Sequence, residues 1–217
     1  MANYRIISAV SEGISLGSGE LPVLIDNLRA ASTIVVAFFH GVKRIIPLRE
    51  NQHPQDFDAR EVLTIGESGG RQLPGFEAGN SPALLVDILA RNPRETIAMR
   101  TSNLIPLLIE QEQAVICSSL NVQAIAAHCM GRDVCIITAG GSWGQAEDMG
   151  VALTLSALMG GAVFDPAVCA CFVRESEAAR HLQSLGFQAD VDFIAGCEQH
   201  AVVPVYDGRE IRDAKPS

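Results

Sequence analysis

Residues 21–33 read LPVLIDNLRAAST, and the fold turns on how this stretch is divided. Pro22 to Ile25 is a short apolar run of the kind that a parallel strand buried on both faces requires, and polar chemistry starts where it stops, at Asp26, Asn27 and Arg29. Leu28, Ala31, Val35, Phe38 and Phe39 then fall on one helical stripe, with Asn27 placed as the N-cap. The stretch predicts strand, tight turn, helix. Ligands of open α/β sheets bind at the carboxyl ends of strands. A carboxylate and a guanidinium one helical turn apart could there hold a divalent metal and an anionic oxygen together. The plain alternative is an N-cap region with a surface arginine.

Outward from this stretch the same grammar recurs. Strands are expected at 5–10, followed by a Gly-rich connection (Gly13, Gly17, Gly19), and at 42–48, 62–65, 96–99, 114–117, 134–138 and 202–206. Helices are expected at 83–90, 104–110, up to Met130, 145–159 and 178–185. Strand, polar turn and helix in alternation predict an α/β fold, a mostly parallel sheet flanked by helices, with room for a smaller α+β lobe beginning near 165–175. One domain over 1–217 is the expectation.

Composition narrows the partners. The 217 residues are 48% hydrophobic, 19% charged and 5% aromatic, with a net charge of −9, so the interior is filled by Ala, Val, Ile and Leu. An acidic chain without a basic run argues against nucleic acid and anionic membrane. The apolar stretch 151–164 is too short to span a bilayer, the first residues lack the pattern of an export signal, and the six cysteines form no CxxC pair. A cytoplasmic protein is the expectation, with homo-oligomerisation left open.

The strand ends carry the chemistry. They offer Asp26 and Arg29; Glu67; Arg100, Thr101, Ser102 and Asn103; Ser118 and Asn121; Gly140 to Gly144, then Glu147 and Asp148. If the sheet is parallel these converge on one edge, and carboxylates with Ser, Asn and backbone N–H donors suit octahedral Mg²⁺ carrying a phosphate. The AGGSWG turn at 139–144 places backbone N–H groups at a helix N-terminus, an anion seat, although without the Lys-Ser/Thr pair of a Walker loop. Glu147 and Asp148 lie in that helix's first turn, where the dipole alone favours carboxylates. Asp56-Phe-Asp58 imitates an aspartyl-phosphate signature, but no buried strand precedes it. The five histidines read as solvated, and Cys169-Ala-Cys171 as two packed thiols.

IDNLRAASTIV (25–35), GESGG…GFEAGNSP (66–82), AGG…EDMGVAL (139–153) and the closing VVPVYDG (202–208) together make the chain similar to the 2-phosphosulfolactate phosphatases of the ComB type. The similarity runs over nearly the whole chain, in order. It departs from the family pattern at Asn27, Ala31-Ser32, Glu77 and the Thr101-Ser102-Asn103-Leu104 turn, where a Thr-Asn-Gly-Thr turn is expected. The resemblance implies a Mg²⁺-dependent phosphatase linked to coenzyme M biosynthesis, acting on a small anionic phosphate ester. By that resemblance Asp26, Glu67 and Asp148 hold metal, with Glu147 in reserve, and Asp26, Arg29 and Glu67 are catalytic. Arg29 and Arg100 grip anionic oxygens, Asn80, Ser81, Ser118 and Asn121 orient the ester, and Gly140 and Gly141 complete the substrate site. The expected reaction is in-line attack of metal-activated water on phosphorus, or a phosphoenzyme on Asp26. The alternative is a relative that kept the anion pocket and lost turnover.

Overall fold

The runs LPVLI, AVIC and VCIIT are buried at every residue, which requires helices on both faces of the strands they form. In the computed structural model, which describes residues 3–12 and 14–214, these runs lie side by side. The elements in chain order are β1 (Tyr4–Ser8), α1 (Ala9–Glu12), β2 (Leu21–Ile25), α2 (Ala30–Phe39), β3 (Arg44–Pro47), β4 (Val62–Ser68), β5 (Arg71–Gln72), α3 (Pro82–Arg91), β6 (Thr96–Arg100) and α4 (Leu104–Leu108). They continue with β7 (Ala114–Cys117), α5 (Val122–Cys129), β8 (Val134–Thr138), α6 (Ala146–Met159), α7 (Pro166–Glu175), α8 (Glu177–Ser184), α9 (Gln188–Ala195), β9 (Pro204–Tyr206) and β10 (Ile211–Asp213). Gly13 of the expected Gly-rich connection lies outside the described residues.

Among the described residues the sheet has ten strands in the order β1-β8-β2-β7-β9-β10-β3-β6-β4-β5. β1, β8, β2 and β7 are parallel neighbours, as are β3, β6 and β4. The α/β, mostly parallel sheet is therefore present, but it is not parallel throughout. The β9–β10 hairpin sits between the two blocks and pairs antiparallel with each. Three successive reversals make the second block run opposite to the first. Asp26 after β2 and Glu67 of β4 nevertheless line one cleft, although their strands belong to blocks that run in opposite directions.

Side chains along β2 alternate between two cores. Leu24 joins Ile34, Val35, Leu85 and Leu104 on the α2, α3 and α4 side, while Val23 and Ile25 join Ile125, Val151 and Leu155 under α5 and α6. Helix α2 is buried at every residue from Ala30 to Phe38, as a helix that is apolar all round must be. The expected stripe is corrected at its ends, because Leu28 precedes the helix and Phe39 is exposed. Helices α7, α8 and α9 gather on a third cluster that includes Cys169, Val173, Leu182, Val191 and Ile194. The region expected to hold a smaller α+β lobe holds this helical cluster. Among the described residues no helix is long and apolar enough to cross a membrane.

Close packing of α6 on α7 depends on Gly150, where an added Cβ would stand 2.4 Å from the Cβ of Phe172. Gly150→Ala is expected to cost about 1–3 kcal/mol by overpacking, lowering the thermal midpoint by about 2–4 °C per kcal/mol. An unchanged melting curve would show that α7 yields freely.

Candidate active site

Asp26 is the first polar residue beyond β2, and its backbone carbonyl and carboxylate turn the chain into α2. The carbonyl accepts from Ala31 N at 2.8 Å and Oδ1 from Ala30 N at 3.3 Å. The N-cap position is Arg29, not Asn27. Asn27 is wholly buried and ties the strand end to its neighbours, its N–H donating to Asp148 Oδ1 (2.7 Å) and its Oδ1 accepting from Ser119 N (2.9 Å). The peptide joining Leu28 to Arg29 is cis.

Two carboxylates clamp the two blocks of the sheet in the same way. Asp148, in the first turn of α6, accepts from Asn27 N after β2 and, at Oδ2, from Gly140 N after β8 (3.0 Å). Glu67, near the end of β4, accepts at Oε1 from Ser102 N after β6 (2.7 Å) and at Oε2 from Gly70 N (3.0 Å). Asp26 stands between these clamps. Burial first, then the charges of Glu67 and Glu147, lift its carboxyl to about 7, against the backbone N–H groups of Ala30 and Leu104. Burial likewise raises Glu147, and burial with the charges of Glu147 and Asp26 pushes Asp148 well above the usual carboxylate range.

A cleft of about 320 Å³ opens over Asp26, with Arg29, Glu67, Asn80 and Ser102 in its wall and Trp143 and His181 at its border. That volume lies at the small end of the range for ligand sites, roughly 300–1,000 Å³. Arg29 is buried, its Nη1 donating to Asp190 Oδ2 (2.7 Å) and its Nη2 to the Gly70 carbonyl (2.6 Å), with its guanidinium 4.3 Å from the centre of the Phe187 ring. The rings of Trp143 and His181 stack at 3.9 Å. A smaller recess joins Asp26 to Glu147, Asp148, Gly140 and Gly141. Two buried acceptors here, Asn80 Oδ1 and Glu147 Oε2, have no donor among the described residues.

The structure thus brings together Asp26, Arg29, Glu67, Asn80, Gly140, Gly141, Glu147 and Asp148. Others of the expected set go elsewhere. Ser118 and Asn121 are fully buried: Asn121 Oδ1 accepts from Ser118 N, and its Nδ2 donates to the carbonyls of Ile116 and Val202. These two stitch β7 to the chain before β9. Ser81 is the N-cap of α3, accepting from Leu84 N and donating to Asp190 Oδ1 (2.6 Å). Arg100 is not in the wall of that cleft: its guanidinium donates to the carbonyls of Arg49, Glu50 and Gln52, and it lines an adjoining cavity of about 610 Å³ that shares Glu67, Ser68 and Ser102 with the cleft. Of the N–H groups of the 139–144 turn expected as an anion seat, that of Gly140 donates to the Asp148 carboxylate. Among the described residues, no three or more of His, Cys, Asp and Glu stand together as metal ligands. Glu67 and Asp148 each accept two backbone N–H bonds, one at each oxygen, which leaves a lone pair on every one of those oxygens.

Sequence reading missed Asp190, Phe187 and the Trp143–His181 pair. Asp190 had one signal available, a lone carboxylate beside Val191, Ile194 and Ala195 on the buried face of what the structure shows to be α9.

Comparison with known proteins places this geometry in a lineage. The family model described as 2-phosphosulpholactate phosphatase matches residues 10–209. A protein of Methanothermobacter thermautotrophicus named 2-phosphosulfolactate phosphatase is 31% identical over 210 residues, covering 89% of each chain. Proteins named probable 2-phosphosulfolactate phosphatase in Pseudothermotoga lettingae and Thermotoga maritima are 26% and 28% identical, covering 88% and 84% of this chain and 92% and 87% of their own. With the match running through both strand blocks and the helices that close the cleft, the chain belongs to the 2-phosphosulfolactate phosphatase family.

Proposed function

We propose that the chain is a phosphoric monoester hydrolase that releases phosphate from 2-phospho-3-sulfolactate, leaving 3-sulfolactate, with Mg²⁺ as cofactor. The observation that carries the reading is the small cleft in which the buried carboxylates Asp26 and Glu67 face the guanidinium of Arg29, in a chain of this family. Carboxylates alone would repel a phosphate ester. Arg29 offsets part of that charge, and a cation offsets the rest.

The oxygen donors fit Mg²⁺, which takes one or two carboxylates together with water and substrate phosphate and needs no all-protein cage. Asp26 and Glu147 would hold it: both border the recess, burial and then like charges raise Asp26, and Glu147 Oε2 is a buried acceptor without a donor among the described residues. When bound, the ion supplies neutralisation of the phosphoryl oxygens and a more acidic water. Arg29 donates to the equatorial oxygens of the phosphoryl group, where charge gathers in the transition state. Glu67, fixed by Ser102 N and Gly70 N, takes the proton of the attacking water. Asn80, Ser102 and Asn103 in the cleft wall orient the ester.

The test is phosphate release by the purified protein from 2-phosphosulfolactate and from a panel of other 2-phospho acids, with Mg²⁺ and with chelator. Release from the sulfonated ester that stops on chelation is the expected result. Tight phosphate binding without any release would instead identify a relative that binds anions and does not turn over.

A further inference from the structure

Asp190 lies in the first turn of α9, more than 100 residues along the chain from every group it holds. Its Oδ2 accepts from Arg29 Nη1 at 2.7 Å, and its Oδ1 accepts from Ser81 Oγ at 2.6 Å and from Ala83 N at 3.2 Å. The side chains of Arg29 and Asp190 are 3% and 2% exposed. A buried ion pair of this kind is a poor source of stability, since two apolar residues would usually serve as well. Here Arg29 stands in the wall of the cleft, with Asp190 bonded to it from outside that wall. Asp190 fixes Arg29 on one side and, through Ser81, the turn that presents Asn80 on the other.

We propose that Asp190 is the positioning residue of the cleft, holding the Arg29 guanidinium against the Phe187 ring and the Gly70 carbonyl so that its remaining N–H groups face the substrate's phosphoryl oxygens. The assignment rests on the phosphatase reading of the cleft. Arg29 has five N–H donors, and those turned toward Asp190 and Gly70 fix the plane of the rest. An amide at position 190 cannot do this, because its NH₂ head would meet a strict donor on either side, Arg29 Nη1 or the Ala83 N–H, although the Ser81 hydroxyl could turn to accept from it.

The experiment titrates inorganic phosphate, with Mg²⁺ present, into the full chain and reads the fluorescence of Trp143, the sole tryptophan, which borders the cleft. Asp190→Asn is expected to weaken phosphate binding about 10-fold or more at an unchanged circular-dichroism spectrum. In an Arg29→Gln background the same change is expected to add less than about twofold, because the group it orients is gone. Binding by folded Asp190→Asn within about twofold of wild type, or a full second loss on top of Arg29→Gln, overturns the assignment. If Asp190→Asn does not fold, Asp190→Glu keeps the buried charge but moves it by one methylene. It is expected to fold and to bind phosphate more weakly, and wild-type binding by that variant overturns the assignment equally. A wild type that binds phosphate and hydrolyses nothing rejects the proposed function while leaving this test in force; a wild type that binds no phosphate overturns both.

Discussion

Arg29→Lys is expected to lower kcat/KM for 2-phosphosulfolactate by about 10²–10³-fold, the usual loss when one transition-state donor is removed, while the protein stays folded. The guanidinium serves three sets of partners at once: the Asp190 carboxylate, the Gly70 carbonyl, and the open space of the cleft. A lysine ammonium is a single point with three donors on a flexible stem, so it can neutralise Asp190 or reach the phosphoryl oxygens but cannot span both. It also lacks the flat face that packs on Phe187. Folding survives because the buried Asp190 charge keeps a cation beside it, whereas Arg29→Ala would leave that carboxylate unpaired. Steady-state kinetics beside a melting curve check the prediction. A loss below tenfold with wild-type stability would take Arg29 away from the reacting phosphate.

The sequence was legible wherever burial is decided locally. β7 and β8 stand at the expected residues 114–117 and 134–138, because an unbroken apolar run allows no other way to hide it. β10 escaped reading, since Ile211 is the one residue of its three that is buried and its place is set by pairing with Tyr206 and Ile45. That hairpin matters most to the topology, as it reverses one block of the sheet against the other. In the site, Asp26, Arg29 and Glu67 were legible as polar residues at strand ends. Whether such a residue faces ligand or backbone was not. Asn121 and Arg100 carry the same signal, yet one caps a buried turn and the other gathers the carbonyls of Arg49, Glu50 and Gln52. The deciding facts are the unpaired backbone groups nearby, which belong to the assembled fold. Asp190 shows the converse: its partners are Arg29, Ser81 and Ala83, and no pattern within α9 could name them.

Asp26→Asn is expected to abolish turnover, with a loss of about 10³-fold or more from the removal of a charged group at the reacting centre, and at the same time to make the protein more stable. The reason is the burial of this carboxyl, and after that the carboxylates around it. Burial and the neighbouring charges of Glu67 and Glu147 lift Asp26 from an ordinary 3.8 to about 7 in the folded chain, whereas in the unfolded chain it titrates normally. Between those values the folded state binds a proton that the unfolded state has already lost. Stability contributed by that proton is full below about pH 4 and is lost as pH rises through about 7. A tenfold difference in proton affinity between the two states is worth about 1.4 kcal/mol, so the whole effect is on the order of a few kcal/mol, or about 2–4 °C in thermal midpoint for each. With chelator present, the wild-type midpoint should therefore fall between pH 5 and pH 8, and the Asp26→Asn curve should be flatter and higher at pH 8. Adding Mg²⁺ at pH 8 should then stabilise the wild type, by giving the carboxylates a counter-charge, and should stabilise Asp26→Asn less. A variant that loses activity together with stability would mean that Asp26 is a structural cap for α2, and the cleft above it would need another centre.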